Sequence, residues 1–459
     1  MDYTRQIAAV LVAAALIATV LHPRESKDVA VMAAAGASAF DRTPTAMATR
    51  ACPIAGSVLT APVANIDDVI SVSPLGGVTA PEEPLPAPHI RINTKRAEAG
   101  FDRRETSVFA PAKADIVAIE RRIRRNLDGT GVGQSWTVYL SVCEDVSLFI
   151  DDLDSISPSI IRAAGGVKAF TNIDGADHTA VKTQIRVRAG EEIGRADGFD
   201  MGLSDRGRAP KNLVRPARYQ TNPYVKARAL NADPELVAAL SHDHARAQCP
   251  LDYYSPKIAE AWSARLGDAF GMRRAKGDNA CRTAVLDMPG TAQGAWFTDA
   301  ALNAAVSKVS AVSLAPDTID PKRQIFALHG RLPSLSPKMV NLTPKQVKAR
   351  EEAARDFLSF ARKRGAGQNQ GNVNTAFALT KPGETYCYEG LRANFIGPRI
   401  NGVMLLRVEE PTDTHAGATN GDGAQTGVRM RIEARSDAQS CTDLATPWAF
   451  SGDETIFFR

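Results

Sequence analysis

The clearest pattern along this chain is two-residue alternation of apolar and polar side chains. Val428-Arg429-Met430-Arg431-Ile432-Glu433 alternates without a fault, as a half-exposed antiparallel strand should. Gln184-Ile185-Arg186-Val187-Arg188 does the same before a turn at Gly190, and His89-Ile90-Arg91-Ile92-Asn93 reads as another strand. Between them, Ser107–Ala110 and Ala114–Ile119 predict two short strands around a turn, with further strands at Trp136–Val142 and Val146–Ile150. The stretch from Trp136 to Asp205 is the richest in such segments and organises the first half of the chain. From Asn372 the pattern returns: residues 372–380, 385–389, 402–410 and 428–436, with a last segment between Trp448 and Phe458, predict a second β-domain, a small sandwich. The fold class is mainly β.

Helical signals are fewer. Residues 231–272 are more helical, and within them Pro256 to Leu266 follow a Ser255 cap with apolar side chains at helical spacing, which makes Trp262 a packing residue. Thr343 followed by Pro344 predicts a helix start, and the pattern runs to Arg364 before Gly365. Residues 69–88 are rich in Pro and Gly and must run extended or in turns, because proline lacks the amide donor that a helix or central strand needs. Residues 412–426 read as a loop. No repeat of fixed period is present.

At its start the chain places Arg5 before an apolar run, Ile7–Leu21, of signal-peptide length and short for a spanning helix. Ala37-Ser38-Ala39 before Phe40 offers a small-x-small cleavage site; an uncleaved N-terminal anchor is the other reading, and the bulk of the chain is exported under either. At 459 residues, more than one core is expected. The expected organisation is a leader or anchor over 1–39, a flexible tether over 40–61, a β-barrel over 62–230, a partly helical extension of it over 231–322, and a C-terminal β-domain with one helix over 323–459.

Charge narrows the function little. The 55 basic and 51 acidic residues are interspersed and leave a net charge of +4, so no nucleic-acid partner is implied. The densest basic run, Glu120-Arg121-Arg122-Ile123-Arg124-Arg125, reads as a solvated strand end. Six cysteines without a Cys-x-x-Cys pair argue against a metal cage and for up to three disulfides in an oxidising compartment. Spacing favours Cys249 with Cys281 and Cys387 with Cys441, leaving Cys52 to tie the N-terminal arm to Cys143.

The order of a strand with His89, then Val108-Phe109-Ala110-Pro111, then a strand pair, then Arg188-Ala189-Gly190-Glu191-Glu192-Ile193-Gly194 before a final strand resembles the lysostaphin-like zinc endopeptidases. Their β-barrel, the duplicated hybrid motif, cuts peptidoglycan cross-bridges, and the resemblance covers roughly Pro74 to Asp205. A second resemblance is to a group of exported bacterial proteins with such a barrel followed by a Pro-Gly-Thr-Ala-Gln-Gly-x-Trp-Phe segment. It rests on Pro74-Leu75-Gly76, Cys249-Pro250-Leu251-Asp252-Tyr253-Tyr254, Pro289–Phe297 and Tyr386-Cys387-Tyr388, and it brings no activity with it.

The first resemblance implies a zinc ion that polarises the scissile carbonyl and activates water, held by three protein ligands with one open position. Carried over by position, His89 falls on the first ligand, but Asn93 stands where the family has Asp. The assisting His corresponds to Asp152 in Phe149-Ile150-Asp151-Asp152-Leu153, and the family's final His-x-His strand becomes Phe199-Asp200-Met201-Gly202-Leu203 without an imidazole. The hydrolytic centre therefore reads as lost and no cofactor is expected. The competing reading is a rewired divalent-metal site, with zinc as the example, made from His89, Asp152 and Asp200, with the two aspartates as candidate catalytic groups.

Other motifs carry less. His242-Asp243-His244 copies His-x-His but follows a helical stretch, where residues two apart diverge. His178, His329 and His415 form no pattern. Asn172–Asp177 has oxygen ligands without calcium-loop spacing and reads as a turn. Gly290–Gly294 lacks the Lys of a phosphate loop and reads as a turn locked against Trp296, and Ser204 before Asp205 is not a nucleophile motif. The sequence thus predicts a non-catalytic envelope protein that binds peptidoglycan or another envelope component, touching the membrane only through an uncleaved N-terminal segment. The alternative is a metal-dependent hydrolase of peptide or ester bonds.

Overall fold

A computed structural model describes residues 51–53, 57–78, 86–95, 104–125, 131–170, 178–208, 214, 245–276, 281, 287–298, 310–329, 332, 335, 357–361, 371–393, 399–409 and 428–459. The N-terminal leader, the tether up to residue 50, the His242 and His244 pair, His415, and the 172–177 and 412–426 segments lie outside them. The fold is mainly β.

The first half contains β1 (Val69–Ser73), β2 (His89–Thr94), β3 (Thr106–Phe109), β4 (Ala114–Arg125), β5 (Gly131–Ser141), β6 (Val146–Leu153), β7 (Ser155–Ile156), β8 (His178–Val187), β9 (Glu192–Ala196), β10 (Gly198–Asp205) and β11 (Ala247–Gln248). Among the described residues two short helices accompany them, α1 (Pro158–Ala163) and α2 (Pro256–Ser263). An eight-stranded antiparallel sheet runs β1-β2-β10-β6-β5-β4-β8, with β11 on β10, and curls into a nearly closed barrel. β3, β9 and β7 form a separate three-stranded sheet.

Alternation decides what each strand buries. Ile90 and Ile92 of β2 and Phe199, Met201 and Leu203 of β10 enter one core together with Val108, Ile156 and Ile193 of the small sheet. His89, Arg91 and Asp200 occupy the alternate positions, on the other face. Trp262 of α2 is buried in the same core, as a packing residue should be. Leu59, at the end of the expected tether, is fully buried and bridges Tyr254, while the Thr60 and Ala61 amides donate to the Pro111 carbonyl at 2.8 and 3.0 Å. Residues 57–61 therefore belong to the barrel, because an apolar side chain within a Ser/Thr/Ala stretch finds a buried slot.

The second half contains β12 (Gly294–Phe297), β13 (Ala311–Pro316), β14 (Arg323–His329), β15 (Phe357–Ala361), β16 (Thr385–Tyr388), β17 (Arg392–Ala393), β18 (Val403–Val408), β19 (Arg429–Arg435) and β20 (Thr455–Phe458). They form one antiparallel sheet, β16-β18-β19-β20-β12-β13-β14-β15-β17. Its terminal strands are separated by only three residues of chain, and Tyr388 of β16 meets Phe360 of β15 with ring centroids 4.9 Å apart. The sheet is therefore rolled around its own core, rather than split into the expected two-sheet sandwich. Phe326, Phe360, Phe377 and Tyr388 fill its centre, with Phe326–Phe377 at 4.9 Å in an edge-to-face pair.

Three sequence expectations change here. β12 and β13 pair with β20 and β14, so residues 294–297 and 311–316 belong to the second sheet and not to an extension of the barrel. Residues 357–361, expected at the end of the 343–364 helix, form β15, because Leu358 and Phe360 find buried places only in register with β14; the rest of that helix lies outside the described residues. Residues 372–380, expected as a strand, give one isolated bridge, Val373 to Cys387, and a single 3-10 turn at Phe377–Leu379.

All three favoured disulfides form: Cys52–Cys143, Cys249–Cys281 and Cys387–Cys441, with Cα separations of 5.0, 5.7 and 5.9 Å. They mark a protein that folds in an oxidising, non-cytoplasmic setting. Among the described residues no helix is long and apolar enough to cross a membrane.

The two sheets meet through Val78, which packs on Ile325 and Ala327, and through Arg273, which bonds Asp317 at 3.1 Å. Burial pushes the Asp317 carboxyl above its ordinary range, against the pull of the Ile319 amide and of Arg273. A carboxyl whose folded pKa is raised contributes less stability as pH rises through that value. Asp317→Asn should accordingly destabilise less at pH 7 than at pH 4 in paired urea titrations. A larger loss at pH 7 would mean that the ionised pair is the favoured state.

Candidate functional site

The charged face of the large sheet is assembled by β10, which lies between β2 and β6. Its register sets Asp200 opposite Arg91 on one side and Asp151 on the other, while Gly202 lies opposite His89 and Phe149. Three groups singled out in the sequence, His89, Asp152 and Asp200, are thereby gathered into one cluster. At its centre is a residue the sequence reading passed over.

Arg91 donates from one terminal nitrogen to Asp200 Oδ1 at 3.0 Å and from the other to Asp152 Oδ2 at 3.0 Å. His89 Nε2 lies 3.5 Å from Asp200 Oδ2, and Ser135 Oγ donates to Asp152 Oδ1 at 3.1 Å. Asp200 foremost, then Asp152, hold the Arg91 guanidinium above its ordinary pKa in spite of burial, so it is a permanent cation. Asp152 itself adopts φ +69°, an uncommon backbone region for a residue with a side chain, which turns it out of the β6 alternation towards Arg91.

A second ionic pair extends the cluster across β4, β5 and β6. Arg122 bonds Asp151, which also accepts from Thr137 Oγ1 at 2.6 Å and from the Asp152 amide at 2.6 Å. Burial alone would lower the Arg122 pKa, but Asp151, Glu120 and Asp152 outweigh it and raise it. Burial, followed by the neighbouring Glu120, pushes Tyr139 well up, so the phenol keeps its proton and donates to Glu120 Oε2 at 3.2 Å. Glu120 is buried, and the Arg122 side chain is only 16 % exposed. At Glu120 and Arg122 the basic run is thus not the solvated strand end expected: alternation on β4 turns these two to the charged face and Arg121 to the opposite one, over Trp136.

A zinc site needs three lone-pair donors converging on one point. Here the region between Asp152 and Asp200 is filled by a guanidinium that takes one oxygen from each, and the remaining oxygens face His89 and Ser135. Asn93, in the position of the family's aspartate, sends its amide to Ser73 Oγ at 3.1 Å. Among the described residues, no group of three or more His, Cys, Asp or Glu has an arrangement suited to a metal ion. The donor set does not fit zinc as it stands.

The chain matches no protein-family model, and neither the curated proteins nor the solved structures provide a match.

Elsewhere, the Gly290–Gly294 segment is a locked turn. Trp296 Nε1 donates to the Ala292 carbonyl at 2.9 Å, and the Arg459 guanidinium lies 4.1 Å over the Trp296 ring while bonding the carbonyls of Gln293, Thr291 and Met288. His178 begins β8, His329 ends β14, and Ser204 is a ladder residue of β10 opposite Ser147. His329 belongs to the second sheet, and His178 lies opposite Arg122 in the β4–β8 register.

Of the residues missed, Arg91 and Arg122 left a trace in the sequence: each stands two positions from a buried partner on an alternating strand, His89 and Glu120. Ser135, Thr137 and Tyr139 left none, since their place depends on how β5 registers with β6.

Removing one partner of such a pair leaves carboxylates without their cation. Arg91→Ala should destabilise by about 2–3 kcal/mol, below the full cost of breaking a buried pair because the Arg91 side chain is 38 % exposed. Arg91→Lys should recover only part of this, having no planar fork to span both aspartates. Urea denaturation measures both, and an unchanged midpoint for Arg91→Ala would show the clamp to be energetically idle. A Cβ at Gly202 would run into the Phe149 ring, so Gly202→Ala should cost about 1–3 kcal/mol, recovered in part by adding Phe149→Leu.

Proposed function

We propose that this is a non-catalytic binding or scaffolding protein of the cell envelope, its first half a barrel of the kind found in peptidoglycan endopeptidases with the metal centre replaced by an ionic clamp. The observation that carries the reading is Arg91 bound between Asp152 and Asp200. A fixed positive charge in that position repels a divalent cation and occupies the carboxylate oxygens that would ligate it. The partner class is peptidoglycan or another wall component. Export through the N-terminal segment, cleaved or retained as an anchor, is consistent with three disulfides, and the compartment would be the periplasm, the cell exterior or the outer face of the inner membrane.

The competing reading, a metal-dependent hydrolase of peptide or ester bonds, draws on the convergence of His89 and Asp200, which lie 3.5 Å apart, with Asp152 beyond Arg91. It requires Arg91 to leave. Elemental analysis after zinc loading and desalting, beside incubation with purified peptidoglycan, separates the two. The expected outcome is sedimentation with the wall polymer, no soluble fragments and no stoichiometric zinc. Stoichiometric zinc together with turnover that disappears in Asp152→Ala and Asp200→Ala would replace the binding reading with the enzymatic one.

A further inference from the structure

A feature apart from the charged face is the reverse turn between Gly267 and Arg274, which are bridged antiparallel. The Asp268 carboxylate accepts the amides of Phe270 at 3.2 Å, Met272 at 2.9 Å and Arg273 at 3.2 Å, so the apex is held by its own hydrogen bonds. Gly271, at φ +68°, brings the backbone against Ile70 of β1; a Cβ there would lie 3.2 Å from the Ile70 carbonyl oxygen. The base is fixed as well, since Arg273 reaches Asp317 and the Lys276 amide donates to the Ile319 carbonyl at 2.9 Å.

This rigid turn presents apolar side chains to solvent. Met272 is 68 % exposed and Phe270 is 41 % exposed, two residues apart at one apex. The turn itself is built by the Asp268 carboxylate and by Gly271, so its hydrogen bonds do not draw on the Phe270 and Met272 side chains. Residues 265–276 contain four cations, Arg265, Arg273, Arg274 and Lys276, and one acid, Asp268. Arg273 and Lys276 are engaged by Asp317 and Asp320. The exposed Arg274, by contrast, rests on the Arg265 carbonyl at 3.0 Å, a contact that leaves both of these positive charges in place at the foot of the turn.

An apolar apex above cationic side chains matches a layered surface, with negative headgroups outside and hydrocarbon beneath. We propose that the 267–274 turn is a docking element for an anionic lipid surface, seating Met272 and Phe270 below the headgroups and setting Arg265 and Arg274 against the phosphates. A wall polymer offers the anions without the apolar layer, so it satisfies half of the feature. The proposal is independent of what the charged face of the barrel binds.

Peroxide oxidation of Met272 in the full-length protein, followed by peptide mass spectrometry, tests it at the residue itself. Phosphatidylglycerol vesicles should slow that oxidation at least about threefold, phosphatidylcholine vesicles should leave it unchanged, and Arg274→Glu should remove the protection. Met288, 39 % exposed and outside the turn, is the internal reference whose rate should not move. Equal Met272 rates with and without phosphatidylglycerol overturn the proposal. Equal protection by the two lipids, protection that survives Arg274→Glu, parallel slowing at Met288, or protection by purified wall fragments alone does so too.

Discussion

The first half of this protein depends on one constraint: β10 pairs with β2 on one side and with β6 on the other. The pairing buries Phe199, Met201 and Leu203, and in doing so it fixes where Asp200 must be. Strand alternation then leaves no freedom about its neighbours. Carboxylates from β6 and β10 are brought together on a surface where burial makes an unbalanced charge expensive, and a guanidinium from β2 balances them. The hydrophobic face thus dictates the electrostatics of the polar one.

That coupling explains why the charged face is a continuous network. Asp151 and Asp152 are adjacent in sequence, yet they turn to different cations, Arg122 and Arg91, because Asp152 leaves the extended conformation at φ +69°. One aspartate serves the β4–β5 side and the other the β2–β10 side. The Arg91 guanidinium presents a planar fork that a lysine lacks, which suits the span between two acids at 3.0 Å each.

Much of the strand content was legible in the sequence, because alternation reports directly on a half-buried sheet; His89–Asn93, Gln184–Val187 and Arg429–Glu433 are all strand residues. The disulfide partners were also legible. What escaped were consequences of non-local pairing. Residues 357–361 follow a charge-rich stretch with helical spacing, and only β14, more than thirty residues upstream, makes Leu358 and Phe360 strand residues. The candidate site was half readable: His89, Asp152 and Asp200 do meet, whereas the residue that determines their chemistry, Arg91, looked like an ordinary polar position on an alternating strand. An arginine becomes a clamp only when acids from two other strands arrive beside it.

The rolled second sheet has a bearing on solubility. A flat nine-stranded sheet would offer two long rows of unsatisfied amides and carbonyls to passing chains. Here the outermost strands, Thr385–Tyr388 and Arg392–Ala393, have four and two residues and are joined through a three-residue connection. Edges so short give an approaching strand little to pair with, so the curvature that encloses the aromatic centre also guards the domain against edge-to-edge polymerisation.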